Sequence, residues 1–212
     1  MRSTGELLGL GPVVPVLTLQ GPADGVPVAR ALAAGGVRVL EVTLRTDGAL
    51  EAVRAIAAEV PEAIVGVGTV LEPAQFAAAR AAGACFAVSP GHSPALLNAA
   101  ADSELPWLPG IATVSEAMAL AERGYRHLKF FPAEAAGGAA FLRALQAPLP
   151  TLHFCPTGGV DARNAAAYLA LSNVPCVGGS WLAPQGAVEA ADWSRIEALA
   201  CAALSLRAGT KR

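Results

Sequence analysis

The sequence predicts an α/β protein whose strands and helices close into a (β/α)8 TIM barrel after a short N-terminal helix. Runs of β-branched apolar residues alternate eight times with alanine-rich stretches of helical pattern. The apolar runs are continuous, as is typical of parallel strands that are covered on both faces. The 212 residues show no linker and no break in composition, so the sequence predicts one domain over residues 1–212, the size of a compact barrel.

A doubly wound parallel sheet is the alternative fold for a chain of alternating strands and helices. Such a sheet usually carries a glycine-rich dinucleotide turn after its first strand. The corresponding turn here reads Leu19-Gln20-Gly21-Pro22, which lacks that glycine spacing. The turn therefore favours the barrel.

The elements follow in order from these patterns, beginning with a helix near residues 4–10. The apolar runs predict strands over residues 13–19, 37–44, 64–70, 85–89, 107–111, 127–131, 152–156 and 176–181. The stretches between them predict helices near residues 23–34, 48–59, 73–82, 94–102, 113–123, 138–146, 162–171 and 187–206. Thr113 and Glu116 have the spacing of a capping box, and Asp161 is predicted to be the N-cap of the helix at 162–171.

Composition and charge argue against several functions. Apolar residues make up 54% of the chain, enough for a large core, and the net charge of -2 provides no basic patch for nucleic acid. No apolar stretch reaches transmembrane length without a charge, and the N-terminus lacks a signal-peptide pattern. We therefore expect a cytoplasmic protein with no nucleic-acid or membrane partner.

Cysteines and histidines show no metal-binding pattern. No C-x-x-C pair occurs, and the four cysteines are predicted to be reduced core residues: Cys85, Cys155, Cys176 and Cys201. The histidines are spread along the chain, with His92 interpreted as a loop residue and His127 and His153 as structural residues near strand starts. No metal and no other cofactor is therefore expected.

One lysine lies inside the apolar, aromatic strand His127-Leu128-Lys129-Phe130-Phe131-Pro132. The chain has only one other lysine, Lys211, near its C-terminus, and uses arginine for its remaining positive charges. Burying an unpaired ammonium is costly, but a desolvated lysine can act as an amine nucleophile, which arginine cannot. Lys129 is therefore a candidate nucleophile, with a lysine that is paired in the core or lies at a strand edge as the alternative.

The second predicted strand carries a carboxylate at its centre. Because side chains alternate along a strand, Val39, Glu41, Thr43 and Arg45 share one face. Glu41 is a candidate general base facing Lys129, or alternatively a charge partner for Arg45 or Lys129. Thr69 ends the third strand, after two glycines that indicate close approach of a ligand or another backbone. Its hydroxyl is predicted to face the barrel interior, with a hydroxyl that only bonds its own backbone as the alternative.

Glycines follow the last two predicted strands. Gly158 and Gly159 lie after the seventh strand, and Gly178, Gly179 and Ser180 lie at the end of the eighth. At these two positions, barrels place a phosphate against exposed backbone N–H groups. The sequence therefore predicts a phosphate site there.

Taken together, these motifs resemble the signature of one family, the 2-keto-3-deoxy-6-phosphogluconate (KDPG) or 2-keto-4-hydroxyglutarate aldolases. The resemblance extends from the first strand to the eighth, and its motifs are Glu41-Val42-Thr43-Leu44-Arg45-Thr46, Gly66-Val67-Gly68-Thr69-Val70, Ser89-Pro90-Gly91, Lys129-Phe130-Phe131-Pro132-Ala133-Glu134, Pro156-Thr157-Gly158-Gly159-Val160 and Gly178-Gly179-Ser180. At the second-strand end and the fourth-strand loop, the chain resembles the gluconate rather than the galactonate type.

The resemblance implies a metal-free class I aldolase on a (β/α)8 barrel, usually a homotrimer, whose substrate is typical of the Entner–Doudoroff pathway. It also implies roles for ten residues, with Lys129 as the Schiff-base lysine, Glu41 as the acid/base, Arg45 and Thr69 as carboxylate ligands, Gly158, Gly159, Gly179 and Ser180 as phosphate ligands, and Pro90 and Phe131 as pocket residues.

The implied reaction splits a phosphorylated 2-keto acid into pyruvate and glyceraldehyde 3-phosphate, and 4-hydroxy-2-oxoglutarate into pyruvate and glyoxylate. Two alternatives remain open at this stage. One is a cofactor-free phosphosugar isomerase or epimerase with Glu41 as base and Lys129 as an electrostatic clamp. The other is a non-catalytic barrel that binds a phosphate ligand, which leaves the paired Glu41 and Lys129 unexplained.

Overall fold

Parallel strands close into a barrel in the structure, a computed structural model that describes residues 2–208. The strands are β1 (Val13–Leu17), β2 (Val39–Thr43), β3 (Ile64–Gly68), β4 (Ala87–Val88), β5 (Trp107–Leu108), β6 (Gly110–Ile111), β7 (His127–Phe130), β8 (His153–Pro156) and β9 (Val177–Gly179). They form two sheets, in the orders β5-β4-β3-β2-β1-β9 and β6-β7-β8. The (β/α)8 architecture predicted from the sequence is confirmed.

The two sheets join at both edges. β5 and β6 are halves of one barrel strand, interrupted at Pro109, which has no N–H to donate. At the other edge, a parallel bridge between Thr157 and Gly178 connects the end of β8 to β9. The barrel therefore has eight strand positions, with β8 and β9 as the seventh and eighth.

Helices surround the barrel and connect successive strands. They are α1 (Thr4–Gly9), α2 (Pro22–Ala34), α3 (Ala49–Glu59), α4 (Ala74–Ala81), α5 (Pro94–Ser103), α6 (Val114–Glu122), α7 (Gly138–Leu145), α8 (Ala165–Leu169), α9 (Gln185–Glu189) and α10 (Trp193–Ala208). The predicted capping box of α6 is present, because the Thr113 hydroxyl accepts from the Glu116 N–H and the Glu116 carboxylate accepts from the Thr113 N–H.

Two predicted helix boundaries are wrong. Asp161 is not an N-cap: α8 begins only at Ala165, and the Asp161 carboxylate instead accepts from Arg163. The predicted helix over residues 187–206 is two helices, because the backbone turns at Ala191, whose φ is 52°. In both places a local turn ends or delays a helix that its composition favours.

The core has two layers. The larger cluster of buried residues packs the outer face of the barrel against the helices and includes Val28, Leu40 and Phe130. The smaller cluster fills the barrel interior towards the N-terminal ends of the strands and includes Val39, Phe86 and, from α1, Leu7, Leu8. Helix α1 therefore closes the N-terminal end of the barrel and leaves the C-terminal end as the open mouth.

No disulfide joins the four cysteines within residues 2–208, but only half of the core prediction holds. Cys155 and Cys176 are buried in the barrel interior, whereas Cys85 and Cys201 are exposed. The two exposed cysteines lie in a loop before β4 and on α10, where an apolar composition did not reveal which face is covered.

Over residues 2–208, none of the helices combines the length and the apolar character that crossing a membrane requires. Lys211 lies outside the described residues.

Candidate active site

A buried ion pair joins β2 and β7 inside the barrel. The Nζ atom of Lys129 lies 3.1 Å from Oε1 of Glu41, and each side chain is 4% exposed. Space for the carboxylate comes from Gly68 on β3, because a Cβ there would lie 2.1 Å from Oε1 of Glu41. Likewise, a Cβ on Gly66 would meet the Phe86 ring at 2.5 Å. The glycines of β3 thus admit side chains from or next to neighbouring strands, and not the ligand or second backbone that the sequence suggested.

The ion pair is an unusual use of a core position. Removing two charges from water costs on the order of several kcal/mol per ion, and the attraction between them often fails to offset that cost. Apolar residues of similar size would hold β2 and β7 together at least as well. A buried carboxylate against a buried amine is, however, the arrangement that proton transfer between them requires.

Phe131 lies between the lysine and the glycine turn after β8. The Lys129 Nζ atom is 5.5 Å from the centroid of the Phe131 ring. On its other side, the ring is 3.1 Å from the position that a Cβ on Gly158 would take. The half-buried ring therefore lies close to both the lysine and the turn.

Arg45 and Thr69 meet at the mouth. The Arg45 Nε donates to the Thr69 hydroxyl at 3.0 Å. Arg45 is exposed, because β2 ends at Thr43 and the chain turns there. Thr69 has a φ of 60°, in the left-handed region that a β-branched residue rarely adopts. Such strained backbone concentrates at functional sites, and here it accompanies a hydroxyl held by a guanidinium.

The loop that contains Pro90 packs closely on the fifth barrel strand. The buried Ser89 hydroxyl donates to the Gly91 carbonyl at 2.5 Å and accepts from the Trp107 indole at 3.1 Å. A Cβ on Gly110 would lie 2.1 Å from the Pro90 carbonyl oxygen. Pro90 is half-buried, and these contacts fix the loop beside the strand.

The turn after β8 contains two glycines in the left-handed region. Gly158 and Gly159 have φ angles of 95° and 78°, which other residues adopt only with strain. The carbonyl of Gly158 accepts from the Glu134 N–H at 3.1 Å, and the carbonyl of Gly159 accepts from Nδ2 of Asn164 at 2.9 Å. Both carbonyls are therefore turned to donors on neighbouring segments.

The glycines of β9 make room for side chains of the protein itself. A Cβ on Gly178 would lie 2.3 Å from the Thr157 hydroxyl, and one on Gly179 would lie 1.8 Å from the Trp181 ring. The next residue, Ser180, is exposed and lines a cavity of about 450 Å³ together with Thr18 and Trp181. The cavity lies at the mouth, between the ends of β1 and β9.

Sequence reasoning missed Thr157 and the residues that hold the glycine turn. Thr157 is buried at the mouth end of β8, two residues beyond Cys155, which is paired in register with Lys129. The period of two along β8 was the signal that could have placed its hydroxyl on the same face. Glu134, Asn164 and Tyr168 gave no comparable signal, because their roles depend on contacts between separate loops.

The hydrogen bonds and ring contacts found for the three histidines in residues 2–208 do not involve Glu41 or Lys129. Nδ1 of His92 is 3.0 Å from the Gly110 carbonyl oxygen in the loop after β4. His127 and His153 stack at the starts of β7 and β8, with ring centroids 5.3 Å apart. Burial, and secondarily the neighbouring His153, lower the pKa of His127.

Over residues 2–208, no group of three or more His, Cys, Asp or Glu side chains is arranged to hold a metal ion.

Comparisons with known proteins identify the family. The family model for the KDPG and KHG aldolases matches residues 5–199. A 2-dehydro-3-deoxy-phosphogluconate aldolase of Pseudoalteromonas atlantica is 52% identical, over 98% of this chain and 96% of its own length. The KHG/KDPG aldolase of Escherichia coli is 54% identical, over 93% of each chain.

A solved structure gives the same result. The KDPG aldolase of Legionella pneumophila, crystallised with pyruvate captured as a covalent carbinolamine intermediate, matches with a TM-score of 0.93 and 46% identity. The match covers 96% of this chain and 99% of that one. The chain therefore belongs to the KDPG and KHG aldolase family.

Proposed function

We propose that the protein is a class I aldolase, a lyase that cleaves KDPG to pyruvate and glyceraldehyde 3-phosphate. It also cleaves 4-hydroxy-2-oxoglutarate to pyruvate and glyoxylate. The observation that carries the proposal is the 3.1 Å contact between Nζ of Lys129 and Oε1 of Glu41 inside the barrel. Family membership supports it, since relatives about half identical along nearly the whole chain are named for this activity.

The first stage forms an imine on Lys129. The contact lets a proton pass from the lysine to Glu41, which leaves a neutral amine. The amine attacks the C2 ketone of the substrate, and a proton moves from nitrogen to oxygen to give a carbinolamine. Glu41 returns its proton to the carbinolamine hydroxyl, which leaves as water and yields a protonated imine.

The second stage breaks the C3–C4 bond. Glu41, through a water molecule, accepts the proton of the C4 hydroxyl while the C3–C4 electron pair moves into the imine. The aldehyde product leaves, and an enamine remains on Lys129. Protonation of the enamine at C3 restores the imine, and water hydrolyses the imine to pyruvate and the free amine.

The remaining predicted residues bind the two ends of the substrate. Arg45 and Thr69 hold the carboxylate next to the ketone, because their mutual hydrogen bond presents a guanidinium and a hydroxyl at the mouth. Gly158, Gly159, Gly179 and Ser180 hold the phosphate. Pro90 and Phe131 form walls between the two ends.

We also propose that the chain is one domain that works as a cytoplasmic homotrimer in the Entner–Doudoroff pathway. It requires no metal or other cofactor and no nucleic-acid or membrane partner. The family resemblance of the motifs supports the homotrimer and the pathway, and the composition and charge of the sequence support the location and the partners. No metal is needed to provide an electrophile, because the imine on Lys129 is one.

Product analysis tests the proposed function. The purified chain is incubated with KDPG, and pyruvate and glyceraldehyde 3-phosphate are quantified against time. We expect the two products to appear in equal amounts. An isomeric sugar phosphate without pyruvate would indicate the isomerase or epimerase instead, and an absence of turnover would indicate a binding protein.

A further inference from the structure

The turn at Gly158 and Gly159 is held from outside by residues that the proposed reaction does not use. The Glu134 N–H donates to the Gly158 carbonyl at 3.1 Å, and Asn164 Nδ2 donates to the Gly159 carbonyl at 2.9 Å. Oδ1 of Asn164 also accepts from the Asp161 N–H at 2.9 Å, which fixes the orientation of its amide. Each carbonyl of the turn therefore has a defined direction.

Because the peptide group is planar, the direction of each carbonyl also fixes the direction of the N–H group of the next residue. In a trans peptide, the carbonyl of one residue and the N–H of the next point to opposite sides of the chain. With the Gly158 carbonyl directed at Glu134, the Gly159 N–H points away from Glu134. With the Gly159 carbonyl directed at Asn164, the Val160 N–H points away from Asn164. Both N–H groups are thus set by contacts on the far side of the turn.

A buried tyrosine fixes Glu134 itself. The Tyr168 hydroxyl, on α8, donates a short hydrogen bond to Oε1 of Glu134, and the tyrosine is 1% exposed. The Cβ and Cγ atoms of Glu134 lie 2.8 and 2.7 Å from where a Cβ on Gly159 would be. Burial, and secondarily Glu134, raise the pKa of Tyr168, so the phenol stays a hydrogen-bond donor at neutral pH. The Glu134 side chain therefore bridges α8 and the turn.

We propose that Glu134, Tyr168 and Asn164 are positioning residues for the phosphate end of the substrate. They orient the Gly159 and Val160 N–H groups and do not touch the substrate themselves. The inference rests on the proposed function, because it assumes that a phosphate is bound at this turn. It predicts that the three side chains affect binding of phosphorylated ligands and leave the chemistry at Lys129 unchanged.

Two variants test the proposal independently. Tyr168→Phe keeps the buried ring but removes the hydroxyl that holds Glu134, and Asn164→Ala removes the donor to Gly159. Each should raise KM for KDPG by roughly 3–10-fold, the range that the loss of one hydrogen bond produces. We expect kcat to stay within about twofold, and KM for 4-hydroxy-2-oxoglutarate to stay at the wild-type value, since only a misplaced phosphate ligand is affected. Inorganic phosphate should become a weaker competitive inhibitor in the same variants.

Glu134 provides a rescue experiment that separates position from charge. Glu134→Gln keeps an oxygen that accepts from Tyr168, so it should bind KDPG nearly as well as the wild type. Glu134→Ala removes both the acceptor and the packing on Gly159, and should raise KM. Because loss of a negative charge would by itself favour an anionic ligand, a KM that rises in Glu134→Ala for KDPG and not for 4-hydroxy-2-oxoglutarate indicates lost positioning. The matched control is Tyr125→Phe, at the only other tyrosine of the chain.

The outcomes are distinguishable from those of the proposed function. A wild-type chain that releases no pyruvate from KDPG would contradict the proposed function, and with it the inference. If the wild type is active and Tyr168→Phe and Asn164→Ala both leave KM for KDPG and inhibition by phosphate unchanged, the inference alone is wrong. Equal increases in KM for both substrates would also overturn it, because they would indicate a general disturbance of the barrel.

Discussion

The reactive region of the barrel and its closed end differ in the side chains that they bury. Inside the barrel, Glu41 and Lys129 form a buried ion pair, and at the mouth Thr69 has a strained φ of 60°. Both features cost stability, by the desolvation of charge and by backbone strain. At the other end, Leu7 and Leu8 of α1 fill the barrel with apolar side chains that stabilise it.

Residues at different positions along the strands thus have different roles. Residues near the strand starts stabilise the barrel, whereas residues further towards the strand ends present reactive groups and lower its stability. Substitutions in the reactive region should therefore change activity more than stability, and changes at the closed end should do the reverse. The following predictions test this difference, from the largest expected effect to the smallest.

The largest effect is expected for Lys129→Arg. The guanidinium keeps a positive charge beside Glu41 but cannot form an imine, so turnover of KDPG should be abolished. Steady-state pyruvate release measures the loss, and circular dichroism checks that the barrel is retained. The surface variant Arg30→Lys, in an exposed ion pair with Glu59, is the control for an exchange of cations. Residual turnover above a few per cent would rule out Lys129 as the nucleophile.

Glu41→Gln should be the next most severe change. Glutamine keeps the shape of the side chain but cannot accept a proton, so kcat should fall by roughly 10²–10⁴-fold. Formation of the imine should slow as well, since its steps also move protons. Stopped-flow and steady-state measurements on KDPG check both effects. A rate near that of the wild type would reduce Glu41 to a charge partner of Lys129.

Ser180→Ala should affect one substrate more than the other. Loss of a hydroxyl donor to a charged phosphate should lower kcat/KM for KDPG by roughly 10–100-fold, at about 1.4 kcal/mol per decade. For 4-hydroxy-2-oxoglutarate, which has no phosphate, we expect a smaller loss. Parallel kinetics on the two substrates give the ratio. An equal loss for both would mean that the phosphate binds elsewhere.

The smallest effect is expected at the closed end of the barrel and concerns pH. The pKa of His127 is lowered by burial and by His153, so the unfolded chain takes up a proton at a higher pH than the native chain does. Its contribution to stability is complete above the ordinary histidine pKa of about 6.5 and is lost as the pH falls below that value. The free energy of unfolding should therefore decrease between pH 7 and pH 5.

His127→Phe isolates this contribution because the ring remains while the titration is removed. The change in Tm between pH 7 and pH 5 should be smaller in the variant than in the wild type, by roughly 1–3 °C. His92→Asn, in the loop after β4, is the control. The same pH dependence in His127→Phe and the wild type would show that the histidine pair does not contribute to acid sensitivity.

The sequence predicted those parts of the fold and the site that depend on local pattern. Lys129 and Glu41 stood out because each is a charged residue within an otherwise apolar strand, and the eight strand positions followed from apolar runs. The partners of glycines could not be predicted in this way. Gly68 admits Glu41, and Gly179 admits Trp181, and these contacts depend on how strands and loops pack in three dimensions.

The two wrong helix boundaries share a physical cause. The turn at Ala191 and the late start of α8 both arise where the backbone conformation of a few residues overrides the composition of a longer window. Glu134, Asn164 and Tyr168 were overlooked because each is unremarkable within its own segment. Their roles depend on contacts with the turn at Gly158 that form only in the folded structure.

The most direct test of the account is to locate the covalent intermediate. The wild-type chain is treated with pyruvate and borohydride, digested, and analysed by mass spectrometry. We expect one reduced pyruvyl group per chain, attached to Lys129, and no such adduct in Lys129→Arg. An adduct found only on Lys211 or on the N-terminal amine, or no adduct under conditions of active turnover, would contradict the central claim that the buried lysine is the nucleophile.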